Sequence, residues 1–182
     1  MTSSTSSATS SERDDLRDLL GHHRELFRGT VEGLSDDAAR SRPTVSELSL
    51  GGLIKHVAAT EQTWATFIVD GPAEQPDVDW ANIDWNDPPA AVLEHQQGFR
   101  MLEDETLDGL LSAYAEVASR TDDLIRTVDL DSRQPLPAAP WFEPGASWSA
   151  RRVLLHIAAE TAQHAGHADI LRESIDGRKS MG

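Results

Sequence analysis

The chain has 182 residues, a formal net charge of −15 and no cysteine. That length suits one domain with a sizeable core rather than two, and the charge argues against nucleic acid and anionic lipid as partners, since both attract Lys and Arg. Without cysteine there is no disulfide, no catalytic thiol and no cysteine-based zinc site, so a metal must be held by His, Asp or Glu, and thiol chemistry needs a thiol from outside.

The first eleven residues, MTSSTSSATSS, are polar and lack the charged start and apolar run of a signal peptide. They read as a disordered tail on a cytoplasmic protein, because no apolar run approaches the roughly 20 residues that cross a bilayer. From Ser11 a helical pattern begins, with Leu16, Leu19, Leu20, Leu26 and Val31 on or near one face and Gly33 near its stop. The segment around Pro43 is rich in turn formers, and Ser49 offers an N-cap to a second helix from about Leu50 to Val69, ended by Asp70, Gly71 and Pro72. Its apolar stripe is Leu53, Val57, Trp64, Phe67 and Ile68.

Residues 71–89 hold Gly, Pro, Trp and many acids without a period and read as a long connection, followed by a short helical piece over Ala90 to Met101. Thr106 or Asp108 opens a third long helix through Leu110, Leu111, Tyr114, Val117, Ala118, Leu124 and Ile125, ending near Val128. Residues 129–148 form a second Pro-rich crossover, and Ser149 caps a fourth long helix from Ala150 to Ile175, closed by Gly177. No strand-like alternation stands out. The expectation is an all-α chain, a four-helix bundle with long crossover loops over residues 12–177, with frayed residues 178–182.

The stretch HIAAETAQHAGHADILRE, residues 156–173, places three of the seven histidines and a glutamate within twelve residues of the fourth helix. At about 100° per residue, Val153, Ile157, Thr161, His164, Ala168, Leu171 and Ile175 share one stripe, so His164 is the inward histidine. Glu160, one turn earlier, can converge with it by the i, i+4 rule. His156 and His167 lie nearer the edge, where packing or flanking roles suit them. On the second helix His56 sits on the flank of the apolar stripe, able to face another helix. A carboxylate and a histidine one turn apart, with a histidine from a second helix, make a three-ligand set with open positions, the catalytic rather than the structural pattern for zinc. The competing expectation is a satisfied core histidine. His22, His23 and His95 read as surface or packing residues, and Asp169 with Arg172 as a solvated ion pair or dimer contact.

SLGGLIKHVAATEQTW, preceded by Arg42 and Pro43, and SARRVLLHIAAETAQHAGHADILRESIDG resemble the two signature helices of the DinB-like superfamily, in the branch of mycothiol-dependent enzymes of actinobacteria. The resemblance covers about residues 12–177. It implies a bundle with a divalent metal held by one histidine of the second helix and two ligands one turn apart on the fourth, which fall on His56, Glu160 and His164. The expected ion is Zn²⁺, while Ni²⁺, Fe²⁺ and Mn²⁺ suit the same donors. The resemblance implies mycothiol as cosubstrate and a thiol S-transferase acting on a small electrophile; the alternatives are a mycothiol-dependent isomerase and a non-catalytic metal- or ligand-binding bundle. Trp64, Trp141 and Trp148 are candidates to line the thiol or substrate pocket, and a homodimer is compatible with the resemblance.

Overall fold

The computed structural model describes residues 11–73, 83–137 and 142–180. Six helices and a two-stranded ribbon follow in the order α1 (Glu12–Gly29), α2 (Asp36–Arg40), α3 (Leu50–Asp70), α4 (Ala90–Gln97), α5 (Leu107–Thr127), β1 (Arg133–Pro135), β2 (Ser147–Ser149) and α6 (Ala150–Asp176). The all-α class and the four long helices agree with the sequence. The helix starts do too, because each is fixed by a local hydroxyl. Ser11, Ser49, Thr106 and Ser149 accept from the backbone N–H groups of Asp14, Gly52, Gly109 and Arg152, satisfying donors that a helix start otherwise leaves orphaned. Asp14 returns a bond to the Ser11 backbone, completing a capping box. At the far end Gly177, at φ 79°, takes the left-handed conformation that closes α6.

Three expectations need correction. The crossover over residues 129–148 contains a short antiparallel ribbon, with Gln134 opposite Trp148; three-residue strands are too short to show alternation, and their pairing is stabilised from outside by Gln134 Nε2 donating to the carbonyls of Ile68 and Val69 (3.4 Å each). Leu19 is exposed, and the buried face of α1 instead runs Leu16, Leu20, Arg24, Phe27. Asp169 and Arg172 are not a pair. Arg172 is buried and binds Asp176 through Nε (3.0 Å to both oxygens), while its Nη1 donates to the carbonyls of Thr30 and Glu32 (2.9 Å each). Asp169 accepts from the backbone of Ser180 (2.7 Å). An arginine can tie off carbonyls just beyond a neighbouring helix in this way because its fork offers five donors.

The long helices close a ring: α1 packs on α6 and α5, and α3 packs on α5 and α6. Apolar side chains form two clusters. One gathers Phe27, Leu50, Leu53, Ile54, Val57, Tyr114 and Leu171; the other gathers Leu20, Phe67, Ile68, Ile125, Val153, Leu154 and Ile157. Between them in the order of the helices lie Arg24, Glu61, Thr121 and Thr161, all buried. Arg24 grips Glu61 with two nitrogens, Nε to Oε2 at 3.2 Å and Nη2 to Oε1, and reaches Asp122 Oδ1 with Nη1 at 2.7 Å. One guanidinium thus joins α1, α3 and α5 through a buried, fully opposed charge pair. Beside it Thr161 donates its hydroxyl proton to the Ile157 carbonyl (2.9 Å), and the Oη of Tyr114 is buried with no hydrogen-bond partner among the described residues.

Candidate functional site: the seam between α3 and α6

The seam brings His56, Glu160 and His164 together. His56 leaves the flank of α3 and meets the ring of His164 edge-on, with centroids 4.9 Å apart and planes at 79°. Glu160, one turn before His164 on α6, has Oε2 3.8 Å from His164 Nε2 and Oε1 3.7 Å from His156 Nε2. These are close approaches but longer than hydrogen bonds. Burial holds His156 and His164 below the ordinary histidine value, His164 further through its neighbour His167, with Glu160 opposing the shift in both. Both rings are therefore neutral near pH 7, the form that donates a lone pair.

His164 has a further partner. Its Nδ1 lies 3.4 Å from Nδ1 of His167, so the ring is approached on one nitrogen by a histidine and on the other by a carboxylate. The edge position expected for His167 is thus a contact with His164. His156, also at the edge, meets Trp64 and Trp148 edge-to-face at centroid distances of 4.8 and 5.2 Å.

The donor set of two imidazoles and a carboxylate has the chemistry of a zinc, nickel or iron site. Among the described residues, however, no group of three His, Asp or Glu side chains stands at the spacing of ligands around one ion. The backbone has collected the three side chains in one seam, and their tips are not drawn together.

Trp64 and Trp148 come from distant parts of the chain and stack on one another, with centroids 5.2 Å apart and planes at 17°. The ribbon makes this possible, because Gln134 anchors it to the end of α3 and Trp148 lies opposite Gln134. The guanidinium of Arg152 sits 4.6 Å over the Trp148 ring, a cation–π contact. Trp141 and the side chain of His95 lie outside the described residues. His22 and His23 stay on α1, with rings 5.6 Å apart, away from the seam in sequence and helix.

The pattern of the sequence gave no notice of Phe99. Its ring stacks on His56 at 4.0 Å and 22°, covering a face of the imidazole. The segment that carries it lies directly on α3: a Cβ added to Gly52 would meet the Phe99 carbonyl oxygen at 2.1 Å, and one added to Gly51 would meet Met101 Sδ at 2.4 Å. The one signal was the Gly51–Gly52 pair inside a helical stretch, where glycine otherwise costs helix stability and so marks a close backbone approach.

A family model described as Mycothiol-S-transferase matches residues 15–177. No curated protein matches the chain. Among solved structures, the crystal structure of a conserved protein from Enterococcus faecalis superimposes with a TM-score of 0.62 at 14% identity, covering 93% of this chain and 100% of that one; at that identity the likeness shows the fold alone.

Proposed function

Because the chain belongs to the mycothiol S-transferase family, whose model spans residues 15–177, we propose that it is a metal-dependent thiol S-transferase using mycothiol, with His56, Glu160 and His164 as the metal ligands. The observation that carries this reading is the meeting of a histidine of α3 with a carboxylate and a histidine one turn apart on α6. A bound divalent ion, Zn²⁺ first among the candidates, supplies the acidification that a free thiol, with a pKa of about 8.5, lacks at neutral pH.

The residues divide the remaining work. His56 and His164 bring neutral donors, and Glu160 brings one negative charge, which reduces the positive charge of the site and leaves sulfur more nucleophilic than an all-imidazole set would. When His164 donates from Nδ1 to His167, its Nε2 lone pair faces Glu160, so His167 acts as the orienting partner of a ligand. Phe99 limits rotation of His56. In the transfer itself the thiol gives up its proton to solvent, sulfur forms a bond to the electrophilic carbon, and the leaving group departs with its electron pair. No helix among the described residues is long and apolar enough to cross a membrane, which accords with a small-molecule enzyme acting in the cytoplasm.

Protein purified without chelator should carry about one divalent ion per chain by elemental analysis, and should conjugate mycothiol to 1-chloro-2,4-dinitrobenzene above the uncatalysed rate. A metal-free preparation that gains no thermal stability from Zn²⁺ would sink the ligand assignment. Metal uptake without turnover on any thiol would leave a binding bundle instead.

A further inference from the structure

The flank of α3 that carries His56 continues through Thr60, Thr63 and Phe67, residues spaced four, three and four apart and so on one stripe. Opposite it α6 runs the other way, His164 facing His56 and His156 facing Trp64. Two turns beyond His56, about 10 Å along the helix at about 1.5 Å per residue, the same stretch of α3 lines a cavity of about 400 Å³. Thr63, Trp64, Phe67, Pro72, Pro137 and Phe142 are among its walls. The described lining is chiefly apolar and contains no charged side chain, in a chain of net charge −15.

Resting on the transferase reading above, we propose that this cavity holds the body of the electrophile, and that the substrates are neutral, flat, aryl-bearing molecules stacked against Trp64. A cavity of 150 Å³ already accommodates benzene, so about 400 Å³ takes one or two fused rings with substituents. Charged electrophiles would lose hydration against these described walls, which hold no charged side chain. The hydroxyl-rich rings of mycothiol need several hydrogen-bond partners, and the described walls offer only Gln62, Thr63 and Thr66 as polar side chains. That leaves the thiol to approach from elsewhere along the seam, and the cavity to the apolar reactant. The aryl carbon that accepts sulfur then lies at the His156 end, next to Glu160, and its leaving group departs as an anion with the bonding pair.

Thr63 is exposed on a regular helix turn, so Thr63→Phe fills the cavity without burying new strain in the core. Metal-free protein titrated with 1,3-dinitrobenzene, which has no leaving group, should show saturable quenching of tryptophan fluorescence, with a Kd raised tenfold or more by Thr63→Phe and unmoved by His22→Ala on α1. With metal and mycothiol, the ratio of kcat/KM for 1-chloro-2,4-dinitrobenzene over iodoacetamide should fall at least tenfold in Thr63→Phe. Circular dichroism melting confirms that the variant is folded. Non-saturable quenching, quenching insensitive to Thr63→Phe, or an unchanged ratio overturns the proposal. Absence of any conjugate, with Thr63-sensitive binding of the probe retained, sinks the transferase reading while supporting the aryl class of ligand.

Discussion

Tyr114 is the only tyrosine of the chain, and it is held in an unfavourable place for ionisation. Burial first, and then the nearby Glu61 carboxylate, raise its pKa well above the ordinary 10.0; Thr161 lies close enough to favour the ionised form, but has committed its proton to Ile157. Since the folded chain keeps this proton longer than the unfolded one, the contribution is complete below about pH 10 and declines as the pH rises beyond it. Ultraviolet titration near 295 nm should therefore find no tyrosinate in the native protein until it unfolds. Tyr114→Phe removes a buried hydroxyl that has no hydrogen-bond partner among the described residues, so it should raise stability by about 1 kcal/mol in urea melts and flatten the alkaline decline. Glu160 shows the reverse logic of a site residue. Its side chain is 30% exposed and, among the described residues, makes the two long histidine approaches alone, so Glu160→Ala should alter metal-free stability by less than about 0.5 kcal/mol. The same variant should abolish the rise in Tm that Zn²⁺ gives the native sequence, as read by differential scanning calorimetry.

Among the elements, the segment that crosses α3 at Gly51 and Gly52 matters more than its irregular conformation suggests. It sets Phe99 on His56, and it fits against α3 because Gly51 and Gly52 lack a Cβ. Gly52→Ala should shift the segment and destabilise by about 1–3 kcal/mol. Phe99→Leu tests the stacking itself: Zn²⁺ affinity, measured by competition with a chromophoric chelator, should weaken several-fold, and Phe99→Tyr should restore it. Equal affinity in Phe99→Leu would show that the ring merely covers His56. The ribbon β1–β2 plays the matching part on the other side of the seam, where it delivers Trp148 to Trp64. Neither element was apparent from periodicity, because three-residue strands and a packed loop have too few residues to display one. The long helices were, since repeated apolar positions and hydroxyl caps are local properties.

For the molecule as a whole, Arg24 and Glu61 place a charge pair inside the core, and Asp122 meets Arg24 from its half-buried edge. Two kinds of effect compete here: the pair as formed contributes little net stability against a hydrophobic substitute, but breaking it strands a buried charge. Glu61→Ala should cost about 3–5 kcal/mol by chemical denaturation, with much of the loss recovered when Arg24 is also replaced by an apolar residue. The single sequence offered no sign of this pairing, for Arg24 and Glu61 are thirty-seven positions apart and each reads alone as a surface charge. His56, Glu160 and His164 stand differently, since helical spacing put Glu160 and His164 one turn apart and His56 on the flank of its own apolar stripe, and the family resemblance joined the three. Periodicity, capping and composition depend on residues within a turn or two of each other, and so the sequence by itself determined the helical class, the helix starts and the one-turn pairing on α6. Which side chains face across the seam, that Trp64 meets Trp148, that Phe99 covers His56, and that Arg172 leaves Asp169 for Asp176 and the carbonyls after α1 were decided only by the tertiary structure, because contacts between elements depend on how whole helices are turned and packed.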